Sequence, residues 1–348
     1  MITLHARNVN EAYTIGLNMI KVQGVPEPSR VGDVLVMDCP VTTTYTKPNE
    51  RVLFNASRNA NPFFHLMESL WMLAGRNDVS WIKPFNSSFD QFSDDGKVFH
   101  GAYGYRWRNH FDKDQLNDVC TLLKTDPNTR RAFIGMWDPR ADDGIGGLDY
   151  PCNVGISLRC RQGALDLTVF NRSNDIIWGA YGANAVHMSI LQEYLAAQIG
   201  VKIGVYHQVS NNYHAYVDVL NKVGIPDPHP MDPYSIGDVK PFQMVSDPKT
   251  FMDDLTAFMD ITFNYMNNKP TKEKRLFRNM FFIEVALPMV YAWKMQKQGK
   301  LLNALTEIQA MAVCDWQAAC SMWIKRKVER NEFKTTGRER SKVAHDTD

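Results

Sequence analysis

The period of the hydrophobic pattern changes along the chain, and each change predicts an element. Val154, Ile156, Leu158 and Cys160 alternate with polar or small residues, and a second alternating run follows Arg161-Gln162-Gly163, which predicts a β-hairpin. Helical spacing predicts helices in FFHLMESLWMLAG and ANAVHMSILQEYLAAQIG, each closed by glycine, and in LNDVCTLLKT. Strands are expected in VGDVLVMD, RVLFNAS and RRAFIGMW.

The last third of the chain has a different pattern. A stretch rich in Pro and Asp, residues 226–249, predicts a connecting loop. Beyond it, one face of a predicted long helix carries Leu301, Leu305, Ile308, Ala312, Trp316, Ala319 and Trp323. The chain then runs into KRKVERNEFKTTGRERSK, which has eight basic and three acidic residues.

Composition and charge narrow the class of protein. Of 348 residues, 44% are hydrophobic and 22% charged, the mixture of a globular protein, and the net charge of +1 gives no overall electrostatic basis for binding nucleic acid. The longest apolar stretch, FFIEVALPMVYAW, is interrupted by Glu284 and Pro288, so no membrane span is expected. Six cysteines without CxxC spacing indicate reduced thiols. We therefore expect a soluble cytoplasmic protein.

The hairpin brings a thiol and a guanidinium together. If its turn centres on Gln162, residues whose numbers sum to 324 face each other, and Cys152 lies opposite Arg172. A neighbouring cation stabilises a thiolate, so Cys152 is a candidate nucleophile. A structural buried thiol is the alternative, and the hairpin by itself leaves both open.

Other residues add candidate chemistry. Glu68 lies on an apolar helix face, where burial suits either a proton shuttle or a buried ion pair. His214 and Tyr216 in NNYHAY suit either a sugar hydroxyl or the core. No HExxH, P-loop or GxGxxG pattern occurs, so nothing supports a metal site. Phosphate binding or solvent exposure would each explain a set of arginines and one serine: Arg30, Arg130, Arg131, Arg172 and Ser173.

Eight short motifs occur in a fixed order, and together they resemble the thymidylate synthase family, which includes pyrimidine nucleotide hydroxymethylases of phages and bacteria. They are SRVG (29–32), ESLWMLAGRND (68–78), YGYRWR (103–108), DPNTRR (126–131), PCN (151–153), RSND (172–175), GAN (182–184) and HAY (214–216). The resemblance implies an α+β fold with a large mixed sheet and a homodimer formed through sheet faces. It divides the chain into a catalytic domain, residues 1–267, and a helical extension with a basic tail, residues 268–348.

The resemblance also implies roles. Cys152 attacks C6 of the pyrimidine, Glu68 organises water and proton transfers, and Tyr103 lines the same pocket. The 5′-phosphate is held by Arg30, Arg172 and Ser173, with Arg130 and Arg131 reaching over from the partner subunit. The sugar 3′-hydroxyl meets His214 and Tyr216, and Asn184 reads the base. The co-substrate 5,10-methylenetetrahydrofolate contacts Trp81, Asp175 and Gly179, and Asp175 also belongs to the catalytic set.

The resemblance implies a reaction that branches late. After the thiolate adds to C6, C5 takes up the folate methylene, which becomes an exocyclic methylene group on the base. Hydride from the folate then gives a methyl group, and water gives a hydroxymethyl group.

Three departures from the family pattern favour water. Asn153 stands where the family has His, and an extension replaces the short tail that closes the pocket. The loop WGAYGAN has one residue more, so that Asn184 lies nine residues beyond Asp175. We therefore expect a deoxypyrimidine hydroxymethylase that acts on dUMP or, failing that, dCMP, as in phage DNA modification.

Three alternatives remain: a thymidylate synthase, a non-catalytic nucleotide-binding paralogue, and a cysteine hydrolase based on His187 or His214.

The extension is expected to pack against the body or the dimer, with contact to nucleic acid or a partner enzyme as the other hypothesis. If a phage encodes the chain, its compartment is the host cytoplasm.

Overall fold

One mixed sheet of eight strands organises the fold, and the computed structural model describes it over residues 1–144, 146–224, 232–270 and 277–343, with side chains to residue 330. The strands are β1 (Ile2–Ala6), β2 (Val25–Ser29), β3 (Gly32–Val36), β4 (Val41–Tyr45), β5 (Phe133–Gly135), β6 (Asn153–Arg161), β7 (Ala164–Asp175) and β8 (Lys202–Tyr216). Their order is β1-β4-β8-β7-β6-β5, and β3, which pairs with β2, joins the far end of β8. The predicted α+β class with a large mixed sheet is confirmed.

Helices cover the sheet and extend beyond it. They are α1 (Val9–Gln23), α2 (Pro62–Leu73), α3 (Val79–Ile82), α4 (Tyr103–Arg108), α5 (Gln115–Thr125), α6 (Pro139–Asp142), α7 (Asn184–Ile199), α8 (Val217–Val223), α9 (Phe251–Met266), α10 (Leu287–Lys297), α11 (Leu301–Gln309) and α12 (Asp315–Val343). A 3₁₀ turn spans Phe89–Phe92, and π-helical turns span Ile176–Ala183 and Phe282–Ala286. No helix in the described ranges is long and apolar enough to cross a membrane.

The β6–β7 hairpin shows how the chain aligns the thiol with the guanidinium. Its turn is Gln162-Gly163, both at positive φ (50° and 75°), as a two-residue turn of type I′ requires. Facing residues in the hairpin body therefore sum to 325, one more than predicted. A bulge between Asn153 and Gly155 shifts the register back by one. Beyond this bulge Cys152 does lie opposite Arg172, and the Arg172 N–H donates to the Cys152 carbonyl at 3.0 Å.

Helix α2 is buried on nearly all sides, which explains its apolar composition. It begins after Asn61, whose side chain accepts from the N–H of Phe64, and of its twelve residues only Phe64 is not buried. From the C-terminal part of the chain, Trp293 and Trp323 pack on Phe63 with ring centroids 5.4 and 5.5 Å away. The C-terminal helices and the sheet thus share one core, and these helices support α2 directly.

Two predicted elements differ from the structure. RVLFNAS forms no strand, because its N–H groups donate to side chains elsewhere: Val52 to Tyr234 at 3.2 Å and Phe54 to Asn10 at 2.8 Å. The predicted long helix is broken between α11 and α12, where the N–H of Ala312 donates to Glu284 and that of Asp315 to Lys240. The predicted loop has neither helix nor strand over 232–249, and 225–231 lie outside the described residues.

Candidate active site

A cleft of about 360 Å³ opens between α2, α4, the segment before β6 and the start of α7. Five predicted site residues from distant parts of the chain meet on its wall: Arg30, Glu68, Tyr103, Cys152 and Asn184. His187, which follows Asn184 by one helical turn, lines the same wall; the sequence suggested it only as the base of a cysteine hydrolase. The cleft therefore collects a nucleophile, an acid–base candidate and an amide around one space.

Opposing influences act on the Cys152 thiol. Burial raises its pKa, the Arg172 guanidinium acts to lower it, and the Asp149 carboxyl acts to raise it. Nη2 of Arg172 is 4.0 Å from Sγ, and the same guanidinium donates to the Pro151 carbonyl at 3.1 Å. A further cation or a phosphate-bound arginine cluster would shift this balance towards the thiolate.

Glu68 and His187 face each other across the cleft wall. Oε2 of Glu68 is 3.0 Å from Nε2 of His187, and both residues are buried. Glu68 therefore has a buried neighbour, His187, with which it would form an ion pair only if the imidazole were protonated, and both residues line the cleft that holds Cys152.

A chain of amides runs behind Cys152. Asn153, fully buried, donates from Nδ2 to Oδ1 of Asn184 at 3.2 Å. Asn184 in turn donates to Oδ1 of Asn174 at 3.0 Å, and Asn174 donates to the Ser210 hydroxyl at 2.9 Å. These contacts fix which end of the Asn184 amide points to which neighbour, while one N–H and one lone pair of that amide stay free for a ligand.

The loop WGAYGAN, to which the resemblance assigns one extra residue, forms an irregular turn. Between β7 and α7 the chain forms the π-helical turn Ile176–Ala183, with an irregular Gly182 (φ −110°, ψ −105°), so Asn184 still reaches the cleft. Ala183, which occupies the unshifted position, lines the cleft beside it.

Polar residues gather at the ends of the parallel strands β7 and β8. Asp175 is paired in register with His214, and Ser173 with Asn212. Burial raises the pKa of Tyr216, and the charges of Asp175, Arg30 and Cys152 also act on it, which places these groups near one another. This strand edge adjoins the cleft.

Asp175 caps the π-helical turn and keeps one oxygen free. Its Oδ1 accepts from the N–H of Ile177 at 2.9 Å, whereas Oδ2 is buried with no hydrogen-bond partner among the described residues. Burial raises the pKa of this carboxyl. A side chain on Gly179 would place its Cβ 2.8 Å from Oδ1 of Asn174, so glycine at 179 leaves room for the amide chain.

Trp81 lies in the core and not on the cleft wall. It is 2% exposed, and its Nε1 donates to the Met259 carbonyl at 3.0 Å, so it is not available to a ligand. The aromatic surface of the cleft includes Phe89, Phe92 and Phe99, and the Phe89 ring lies against the other two, with centroids 6.0 and 4.8 Å away. The sequence analysis did not identify Phe89 and Phe92, which the 3₁₀ turn places on the cleft wall.

Arg130 and Arg131 are exposed and do not line the cleft of their own chain. Within the described residues, no group of three or more His, Cys, Asp or Glu side chains is arranged to hold a metal ion.

Comparisons with known proteins point the same way. Residues 14–226 match the family model described as thymidylate synthase. Over 343 residues the chain is 46% identical to a deoxyuridylate hydroxymethyltransferase of Pseudomonas phage M6, covering 94% of this chain and 95% of that protein. Proteins of the same name from Bacillus phage SP01 (42% identity, 51% of this chain, 50% of that protein) and Delftia phage PhiW-14 (31%, 62% and 63%) are also similar.

Proposed function

The chain belongs to the thymidylate synthase family, and from that premise we propose that it hydroxymethylates C5 of deoxyuridylate, with 5,10-methylenetetrahydrofolate as one-carbon donor and water as the source of the hydroxyl. The observation that carries this proposal is the near full-length similarity to the phage M6 protein, together with a cleft that places Cys152, Glu68 and Asn184 on one wall. Methylation to thymidylate is the second candidate, since the family is named for it.

Cys152 is proposed to add to C6 as its thiolate. In the free protein burial holds the pKa of Cys152 above its ordinary value, so the thiol is largely protonated. We propose that substrate binding supplies the missing stabilisation, because the phosphate would hold Arg172, which already lies 4.0 Å from Sγ, in that position. The nucleophile is then activated only when the nucleotide is in place.

The phosphate and sugar are proposed to lie along the ends of β7 and β8. Arg30, Arg172 and Ser173 would bind the phosphate, since guanidinium and hydroxyl donors suit its oxygens. His214 and Tyr216, which lie in edge-to-face contact at 5.6 Å, would meet the 3′-hydroxyl. A nucleotide bound in this way would extend its base into the cleft, towards Asn184.

Asn184 is proposed to read uracil. Its amide can accept from N3–H and donate to O4, and the contacts to Asn153 and Asn174 hold one of its two orientations. Glu68 and Tyr103 are proposed to handle proton transfers. The Tyr103 hydroxyl accepts from the Asn153 N–H at 3.4 Å, and burial raises the pKa of Tyr103, so this group stays neutral and can act as a donor.

The residues present fit a folate. When bound, it supplies a one-carbon unit at the oxidation level of formaldehyde. A flat pterin suits the aromatic surface of Phe89 and Phe92, and Asp175 and Gly179 are proposed to contact the folate because the family resemblance implies it. We assign the aromatic contact to Phe89 and Phe92 in place of the core residue Trp81.

A homodimer through the open face of the sheet is proposed as well. On that face Phe133 (54% exposed) lies over Gly155, where a Cβ would come within 2.4 Å of its ring, and Phe170 (39% exposed) is paired with Gly155. This apolar patch lies near Arg130 and Arg131. A second copy placed on it would bring these two arginines towards the phosphate site of its neighbour.

We also propose the division of the chain into a catalytic part, residues 1–267, and an extension, residues 268–348. The extension's described contacts favour support of α2 as its role, through Trp293 and Trp323.

The test is the mass of the product after incubation with methylenetetrahydrofolate and an equal mixture of dUMP and dCMP. We expect 5-hydroxymethyl-dUMP. A methylated nucleotide accompanied by dihydrofolate would replace the proposal with the second candidate, and consumption of dCMP alone would overturn the base assignment.

A further inference from the structure

The pair formed by His187 and Glu68 is not explained by packing. The two side chains come from different helices, α7 and α2, and both residues are buried (4% and 8% exposed). Among the described residues that line the cleft, His187 is the one imidazole. Asn153, the neighbour of the nucleophile, carries an amide and cannot take up a proton.

The geometry of the pair leaves polar atoms unsatisfied. Although Nε2 of His187 and Oε2 of Glu68 are 3.0 Å apart, their alignment makes no hydrogen bond, and Nδ1 of His187 also has no partner among the described residues. Buried polar atoms left unpaired are costly, and water normally satisfies them. Both residues line the cleft that holds Cys152, so the pair offers an imidazole and a carboxyl group to water that occupies the cleft.

We infer that His187 and Glu68 together bind and deprotonate the water that becomes the hydroxyl group of the product. This inference rests on the proposed function. It assigns to His187 a role in the step at which hydroxymethylation parts from methylation.

The step balances as follows. Before it, C5 of the base carries an exocyclic methylene conjugated with the C4 carbonyl, and C6 is bonded to Sγ of Cys152. The water oxygen forms a bond to the methylene carbon, one water proton passes to the His187–Glu68 pair, and an electron pair moves to O4. The carbonyl then re-forms, C5 and C6 regain their double bond, and the C6–S bond breaks with its electrons on sulfur. No oxidant or reductant is needed, and the proton returns to Cys152 or to solvent.

Asn184, the proposed base reader, and His187 lie one turn apart on the same helix. Asn184 and His187 are three residues apart on α7 and therefore share one face of the helix. If Asn184 contacts the base at N3 and O4, then C5 and its substituent face the next turn of α7. His187 lies on that turn, next to Glu68. The same helix then holds the base and positions the attacking water.

The experiment uses a competing nucleophile. An exocyclic methylene conjugated with a carbonyl reacts with thiols as well as with water, so 2-mercaptoethanol is added to assays with dUMP and methylenetetrahydrofolate. Mass spectrometry gives the ratio of the thioether to the hydroxymethyl nucleotide. For His187→Gln, which preserves polarity but cannot exchange a proton, we expect this ratio to rise about 100-fold, while the Kd for dUMP stays near that of the wild type.

Controls separate chemistry from packing. His65→Gln alters a buried histidine one turn before Glu68 that does not line the cleft, and its ratio should match the wild type. His187→Asn serves as a second variant if the first does not fold, and imidazole added to His187→Ala should restore the hydroxymethyl product. A folded His187 variant with an unchanged ratio overturns the inference, whereas a wild type that gives only methylated product, or none, overturns the proposed function.

Discussion

Nη2 of Arg172 lies 4.0 Å from Sγ of Cys152, and the Arg172 N–H donates to the Cys152 carbonyl at 3.0 Å. A bulge in β6 creates this relationship by correcting the register of the hairpin by one residue. The same arginine is proposed to bind the phosphate, so a single side chain couples occupancy of the nucleotide site to the charge state of the nucleophile.

Removal of Arg172 should make the thiol less reactive. Burial raises the pKa of Cys152 and Arg172 opposes this, so in Arg172→Ala the pKa rises further and the thiolate fraction at pH 7 falls. We expect alkylation of the Cys152 peptide by iodoacetamide, followed by mass spectrometry, to slow several-fold, with the pH–rate curve displaced to higher pH. Arg161→Ala, at the other end of the hairpin, should leave the curve in place. Identical curves for Arg172→Ala and the wild type would show that the guanidinium has no influence on the thiol.

Asn184→Asp should shift the substrate preference from dUMP towards dCMP. A carboxylate can accept from the N4 amine of cytosine but cannot donate to O4 of uracil. We expect the ratio of kcat/KM for dUMP over dCMP to fall at least about 10-fold, in line with the loss of one buried hydrogen bond. Asn184→Ala, which removes both functions, should lose activity on both nucleotides and lose most of the preference for dUMP. An unaltered ratio in Asn184→Asp would remove this residue from base recognition.

Two inactive variants should complement each other if Arg130 and Arg131 act across a dimer. Cys152→Ala lacks the nucleophile, and a double Arg130→Ala, Arg131→Ala variant lacks the donated guanidinium groups. In mixed dimers one of the two sites is intact, so a mixture that has exchanged subunits should regain about a quarter of the wild-type activity. A Phe170→Asp change in both variants should prevent this by disrupting the apolar patch. Mixtures that stay inactive although light scattering shows dimers would place the arginines outside the neighbouring site.

Asp315 should make the folding stability depend on pH. It is 1% exposed, and it accepts from the Tyr234 hydroxyl at 2.8 Å; burial raises its pKa to about 7. In the unfolded chain this carboxyl titrates near its ordinary 3.8, so between pH 4 and pH 7 the folded state holds a proton that the unfolded state has lost. Stability from this group is therefore lost as pH rises through that window, and the loss is complete above pH 7.

Asp315→Asn removes this titration and keeps an acceptor for Tyr234. Relative to the wild type, its free energy of unfolding in urea should improve from pH 5 to pH 7 by on the order of 1 kcal/mol per pH unit. Asp238→Asn, an exposed change in the neighbouring segment, should show no such trend. Parallel curves for Asp315→Asn and the wild type would mean that the carboxyl is not protonated in the folded state.

The sequence was informative where a local pattern determines a local structure. The period of two in β6 and β7, the buried helix around Glu68 and the glycine that ends α7 at φ 87° all appear as predicted. Five predicted site residues also meet in one cleft, and each of them belongs to one of the ordered motifs that the sequence analysis identified.

Other features depend on contacts between distant segments and could not be predicted. Trp81 looks like a ligand contact in the sequence, but tertiary packing buries it against Met259 and leaves the cleft wall to Phe89 and Phe92. The contact of His187 with Glu68 joins residues 119 positions apart, and the break before α12 depends on carbonyl groups of Glu284 and Lys240. The hairpin register was predicted one residue off, and only the bulge made its functional pair come out right.

The π-helical turn between Asp175 and Asn184 has an evolutionary consequence. A helix that gains one residue within its regular span must rotate everything downstream by about 100°, which would turn Asn184 and His187 away from the cleft. Here a single wide turn joins Asp175 to Asn184, and Asn184 and His187 in the helix that follows both line the cleft. A change of length confined to this turn would therefore leave the orientation of the following helix, and the core packed against it, unchanged.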